Sequence, residues 1–224
     1  MCGSSMAVAL IVFLSAMLYG QPQERLGETV APPEARKAVQ DYVEYAVERN
    51  AREAGFFKQK FGVDAPDRDS LSLGEPFPIR LLKREGLERF VSDKTSTLVT
   101  YAEPNGFIFP LQIRGKIVAA ISTSQLPEGR WHFGFLYPSR AQLVDIIREA
   151  YGTDNDLVYL QIRRMGYFVA ELHDTVPTRI VSLGGFFGDG AKREPGTRST
   201  SQSMEWREAE RVLRTHAERI LSER

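Results

Sequence analysis

Three histidines, His132, His173 and His216, are the side chains best suited to proton transfer or metal binding near neutral pH. No two of them lie one helical turn apart, so the paired-histidine ligand pattern of zinc hydrolases is absent. His173 is followed by Asp174, an order in which a carboxylate could orient an imidazole for general-base work. Neighbours in one extended strand point to opposite faces, however, so the two side chains are not expected to meet. His132, between Trp131 and Phe133, is expected to face away from both rings as an ordinary solvated histidine. His132 or His173 with a carboxylate would define the enzyme alternative, a hydrolase.

Other chemistry is weakly signalled. The chain has no Gly-x-Ser-x-Gly elbow, no Walker phosphate loop and no Gly-x-Gly-x-x-Gly after a strand. Ser92-Asp93-Lys94-Thr95 matches a fragment of penicillin-binding motifs but lacks their Ser-x-x-Lys nucleophile. Asp64, Asp67, Asp69 and Glu75 lack the spacing and central glycine of an EF-hand and read as a solvated acidic loop, as does Asp154-Asn155-Asp156. Cys2 is the single cysteine, which excludes an internal disulfide and a cysteine zinc site. The expectation is therefore no assigned catalytic residue, no cofactor and no metal. Lys and Arg number 29 against 29 Asp and Glu, a balance that disfavours a nucleic-acid footprint or a polybasic membrane surface.

The elements that must carry any site follow from periodicity. No charge occurs before Glu24, and Ala7 to Tyr19 is almost wholly apolar. Residues 1–20 read as a signal peptide, or else as a membrane anchor, although the run falls short of the roughly 20 residues a spanning helix prefers. Residues 21–33 form a polar leader. Pro32-Pro33-Glu34 opens a helix to about Ala54, with Val39, Tyr42, Val43, Ala46 and Val47 on one face. Residues 64–72 read as loop. From Pro76 the period becomes two, and four strands are expected as an antiparallel meander: Thr97 to Ala102, Phe107 to Ile113, Ile117 to Ile121 and Trp131 to Tyr137. Glu103-Pro104-Asn105-Gly106, Arg114-Gly115 and Leu126-Pro127-Glu128-Gly129 are the expected turns. Pro138-Ser139 opens a second helix, closed at Gly152, and strands follow at Leu157–Arg163, Gly166–Leu172 and Arg179–Leu183. The fold class is α+β: an N-terminal helix on an antiparallel sheet, over residues 34–183.

Residues 184–202, rich in Gly, Ser and Thr, read as a flexible linker. Residues 203–224 read as an amphipathic helix capped by Ser203, able to dock on its own domain or on a partner. Phe186 and Phe187 in the linker, with Trp206, Leu213 and Ile220 on the helix stripe, are the candidate partner-binding residues.

Leu73-Gly74-Glu75-Pro76-Phe77, Tyr101, Phe107 to Pro110, Ile117 to Ile121 and Gly129-Arg130-Trp131 form a layout that resembles an uncharacterised domain of exported bacterial proteins. The arrangement of elements is also similar to cystatin-like and NTF2-like folds. The resemblance covers residues 34–183, implies no activity and transfers no functional residue. The expectation is an exported, non-catalytic binding or regulatory module of the envelope, periplasmic or secreted. It would be bound to the inner membrane only if residues 1–20 stay attached, making it a tethered scaffold. Its partner would be another envelope protein, or a second copy engaged through the C-terminal helix.

Overall fold

The computed structural model describes residues 30–134, 140–150, 153, 155–183, 186 and 202–223. The expected signal segment, Cys2, Ser139, Gly152 and Phe187 lie outside them.

Helix α1 (Pro33–Arg52) has Pro in its first turn with Glu34, and Arg49 and Arg52 in its last, in accord with the helix dipole. Its buried residues Ala35, Val39, Tyr42, Val43 and Ala46 form the stripe expected from their spacing. Gly55, at φ 87°, supplies a left-handed turn into α2 (Phe56–Phe61), whose three phenylalanines are buried. The chain then makes β1 (Leu71–Leu73), β2 (Phe77–Leu82), α3 (Arg84–Ser92), β3 (Glu103–Ile113), β4 (Lys116–Gln125) and β5 (Trp131–Gly134). After α4 (Arg140–Ala150) come β6 (Asp156–Ile162), β7 (Gly166–His173), β8 (Val176–Ser182), β9 (Gln202–Glu205) and α5 (Trp206–Ser222).

All nine strands join one sheet in the order β5-β4-β3-β2-β6-β7-β8-β9, with β1 beside the far end of β3. Every pairing is antiparallel except β2 with β6, which run parallel from Ile79↔Tyr159 to Leu82↔Ile162. The α+β class and the N-terminal helix on the sheet are thus as the sequence predicts. Alternation sorts side chains between two faces. Phe107, Phe109, Leu111, Ala119 and Ile121 meet α1 and α2. Further along that face Leu160, Ile162, Phe168 and Ile180 meet α3 and α5. The opposite face, with Ile79, Ile108, Tyr159 and Val169, is covered by Leu143, Val144, Ile146 and Ile147 of α4. Among the described residues no helix is long and apolar enough to cross a membrane.

Three expectations need correction, and one helix is new. Thr97–Ala102 is not a strand: Leu98–Tyr101 forms a 3-10 turn whose Leu98 and Val99 are fully buried beside α3 and α5. The fourth antiparallel strand is instead β2. The Pro104-Asn105-Gly106 sequence is not a turn but the start of β3, where a register shift at Ile79/Arg80 absorbs the irregularity. Gly106 allows this, because at φ 150° a side chain is disfavoured and an added Cβ would stand 1.9 Å from the Thr123 carbonyl oxygen. Helix α3, with only Leu87 and Phe90 buried, has no counterpart in the expected elements. Finally, Ser203 does not cap a helix. Residues 202–205 pair with β8 (Val181↔Ser203, Ile180↔Met204), and α5 starts at Trp206.

Candidate functional site

Of the expected partner-binding residues, Phe186, Trp206, Leu213 and Ile220 are described, and all four pack in or against the chain's own core. Trp206 is 5 % exposed and Leu213 fully buried, in the cluster formed by α3, α5 and the sheet. Phe186 packs edge-on against Phe168, with ring centroids 5.3 Å apart, and lies 4.7 Å from the His216 ring. Ile220 is partly buried against the same cluster. Arg214 fixes the helix further: it lies over the Phe90 ring at 4.1 Å and donates to the carbonyls of Phe90 and Asp93, the latter at 2.9 Å. These are carbonyls at the end of α3 that lack helical partners, so Arg214 acts as a C-terminal cap supplied from another helix. The stripe therefore closes a core within the chain, with Trp206 and Leu213 buried in it.

The histidines remain apart. His132 faces away from Trp131 and Phe133, its Nδ1 3.1 Å from the Ser124 carbonyl oxygen, while Phe133 stacks on Tyr42 at 3.7 Å. His173 and Asp174 do meet, at 3.7 Å, contrary to the strand argument. Asp174 is no longer in the strand: at φ 49° it begins a tight turn with Thr175, at φ 69°, and its side chain swings back. Both side chains are exposed, so water screens the pair. His216 Nδ1 lies 3.1 Å from the Val212 carbonyl oxygen within its own helix. No group of three or more His, Cys, Asp or Glu side chains converges among the described residues. Asp93 braces the segment that follows α3, accepting from the Thr95 hydroxyl and amide, at 2.6 and 2.8 Å, and from the Tyr101 hydroxyl. Those bonds, the Thr95 hydroxyl foremost, hold its carboxyl well below the usual carboxylate range.

A different site is built where α1 passes β1. The two elements leave a groove of about 310 Å³, the lower end of the range of ligand sites. Its floor is apolar, from Val43 and Val47 of α1, Leu71 and Leu73 of β1, and Leu111 of β3. Its ends are charged. At one end Arg68 pairs with Glu44. At the other, Arg36 donates to the Leu73 and Gly74 carbonyls, both at 3.4 Å, and lies 3.7 Å from Glu75, whose side chain is 96 % exposed. The Arg36 guanidinium also sits 5.4 Å from the centre of the Phe109 ring. An apolar floor between separated polar ends is suited to holding an elongated amphipathic ligand. Only half of this signal was in the sequence: the α1 face is periodic, but β1 is three residues long and begins inside the segment read as loop. On the sheet between the two helical clusters, buried Arg80 donates to the Ala102 carbonyl at 3.1 Å, tying β2 to the 3-10 turn.

Comparison of the chain with family models, curated proteins and solved structures gives no match.

Proposed function

We propose that this chain is an exported binding module of a bacterial cell envelope, and that the α1–β1 groove is its working surface. The observation that carries the reading is the groove itself, with apolar Val43, Val47, Leu71, Leu73 and Leu111 between the charged ends at Arg36 and Arg68. Export is supported by the uncharged, apolar stretch before Glu24, and the envelope setting by the layout of residues 34–183.

The test places a photo-crosslinking amino acid at Gln40, on the groove wall, and separately at Asp145, an exposed position on α4. In intact cells the Gln40 chain forms a discrete adduct in the envelope fraction and the Asp145 chain does not. His132→Ala and His173→Ala leave that adduct unchanged. Equal labelling from both positions removes the groove from the proposal. Intact-mass measurement addresses export: the envelope chain begins near Gln21, and a full-length chain confined to the cytosol contradicts the proposal.

A further inference from the structure

The groove is bounded by a strand edge whose open backbone groups have a definite pattern. Arg114 N–H donates to Ser70 C=O, and Gly74 N–H to Pro110 C=O, both at 2.8 Å. The even-numbered residues of this stretch therefore turn their backbone groups toward β3, and Leu71 and Leu73 turn theirs outward. Leu71 N–H is engaged by the Arg68 carbonyl, and Leu73 C=O accepts from Arg36. Among the described residues Leu71 C=O and Leu73 N–H are left without a partner, one on each side of Ser72. An antiparallel newcomer could reach Leu71 C=O and Leu73 N–H only from the two residues flanking the one opposite Ser72, and each of those would then set its other backbone group against Leu71 N–H or Leu73 C=O, which are already engaged. A parallel newcomer requires the C=O of one residue and the N–H of the residue two further on, which is the pair that stands open.

We propose that the groove receives an extended peptide that joins β1 as a parallel strand, with an apolar side chain beside Leu71 and an acidic side chain at Arg36. The inference rests on reading the groove as the working surface of a binding module. The central peptide residue, opposite Ser72, donates its N–H to Leu71 C=O and accepts from Leu73 N–H. Its two neighbours then project on the α1 side of the sheet, as Leu71 and Leu73 do. Helix α1 runs antiparallel to β1, since Arg36 meets Leu73 and Gly74 while Glu44 meets Arg68. The residue before the centre therefore enters the floor at Val43 and Val47, and the residue after it meets Arg36. Arginine binds a carboxylate through charge-assisted bonds of roughly 2.7–2.9 Å. The two bonds Arg36 now makes are 3.4 Å long and to neutral oxygens, so a carboxylate is the better partner. The mode of recognition is strand addition, in which backbone bonds give affinity and alternate side chains give specificity.

The probe is the acetylated, amidated heptapeptide Ser-Thr-Leu-Thr-Glu-Thr-Ser, titrated into the full chain by calorimetry. It binds, and methylating the amide nitrogen of the central Thr weakens it by about tenfold or more, as expected for loss of an essential bond. Methylating the Glu amide, which points away from β1, changes affinity by less than about threefold. Exchanging the Leu and Glu positions abolishes binding. Arg36→Glu, which still melts cooperatively, loses the Glu peptide and gains one with Lys in that place. Equal binding of the forward and exchanged peptides overturns the parallel register. No peptide binding, with the Gln40 adduct still formed, sinks the strand-addition inference and leaves the binding-module reading standing; loss of both removes both. Leu26-Gly27-Glu28 carries the same apolar-x-acidic order in the chain itself. If Leu26→Asp raises probe affinity, the chain's own leader is the occupant, and if Val47→Glu dissolves a dimer in sedimentation, a second copy is. Either result overturns a partner peptide.

Discussion

Arg214 on α5 and Arg36 on α1 both cross from a helix to main-chain carbonyls of a neighbouring element, but the two contacts differ in depth. Arg214 lies over Phe90 and reaches three carbonyls at the end of α3, those of Phe90, Val91 and Asp93. Around it Leu87, Phe90, Leu98, Trp206 and Leu213 exclude water. Arg36 reaches two carbonyls at the limit of hydrogen bonding, beside an exposed glutamate and an open groove. In the first region the guanidinium completes a partly buried helix end whose last carbonyls lack helical partners. In the second, a cation is held loosely enough to change partners. The same residue type serves cohesion in one place and exchange in the other, and burial decides which.

The comparison breaks most visibly if α5 is removed. A chain ending at Gly185 loses cooperative thermal unfolding, because the sheet face under Leu160, Phe168 and Ile180 loses its cover. A cooperative melt at unchanged temperature would show that α5 is an appendage after all. Leu213→Ala costs about 2–5 kcal/mol in denaturant unfolding, by lost transfer energy and the cavity left behind. Arg214→Ala costs about 1.5–3 kcal/mol, while Arg36→Ala stays within about 1 kcal/mol. Similar losses for the two arginines would erase the distinction between them.

Two smaller effects depend on pH. The folded Asp93 carboxyl titrates below its unfolded value, so its contribution to stability is complete above the ordinary range near ~3.9. That contribution fades as pH falls through the folded value. Asp93→Asn therefore lowers the melting temperature at neutral pH and flattens its fall in acid; a parallel acid limb would show that the Thr95 and Tyr101 bonds contribute nothing. Glu210 behaves oppositely. Burial raises its pKa against the Leu98 amide and Arg214, so its charged form is a burden above its unfolded value. Glu210→Gln is expected to raise the melting temperature slightly at pH 7 and not at pH 4. A lower melting temperature at pH 7 would show that the Arg214 attraction outweighs desolvation.

The strands legible in the sequence are those with runs of bulky apolar residues, such as Phe107 to Leu111, which is buried on both faces of the sheet. Where such a run is missing, local composition points elsewhere. Thr97 to Ala102 is rich in β-branched residues, yet tertiary packing of Leu98 and Val99 curls it into a 3-10 turn. Gln202 to Glu205 has no apolar alternation, being an edge strand recruited by β8. The apolar stripe on α5 was legible, but not whether it met its own sheet, because amphipathicity does not name a partner. The groove was hidden for a related reason: it depends on a three-residue strand and on backbone groups, which have no sequence signature.

The single parallel pairing, β2 with β6, has a consequence for how the chain is made. It joins Ile79 to Tyr159, about eighty residues apart, whereas tight turns at Arg114-Gly115 and Asp174-Thr175 join other strands locally. During synthesis the β2–β5 half emerges first, with the edge of β2 bare until residues 156–162 follow. A bare edge of that kind is a template for pairing with another nascent chain. The interval between the two halves is therefore one of exposed strand edge, and slowing elongation across residues 140–156 lengthens it.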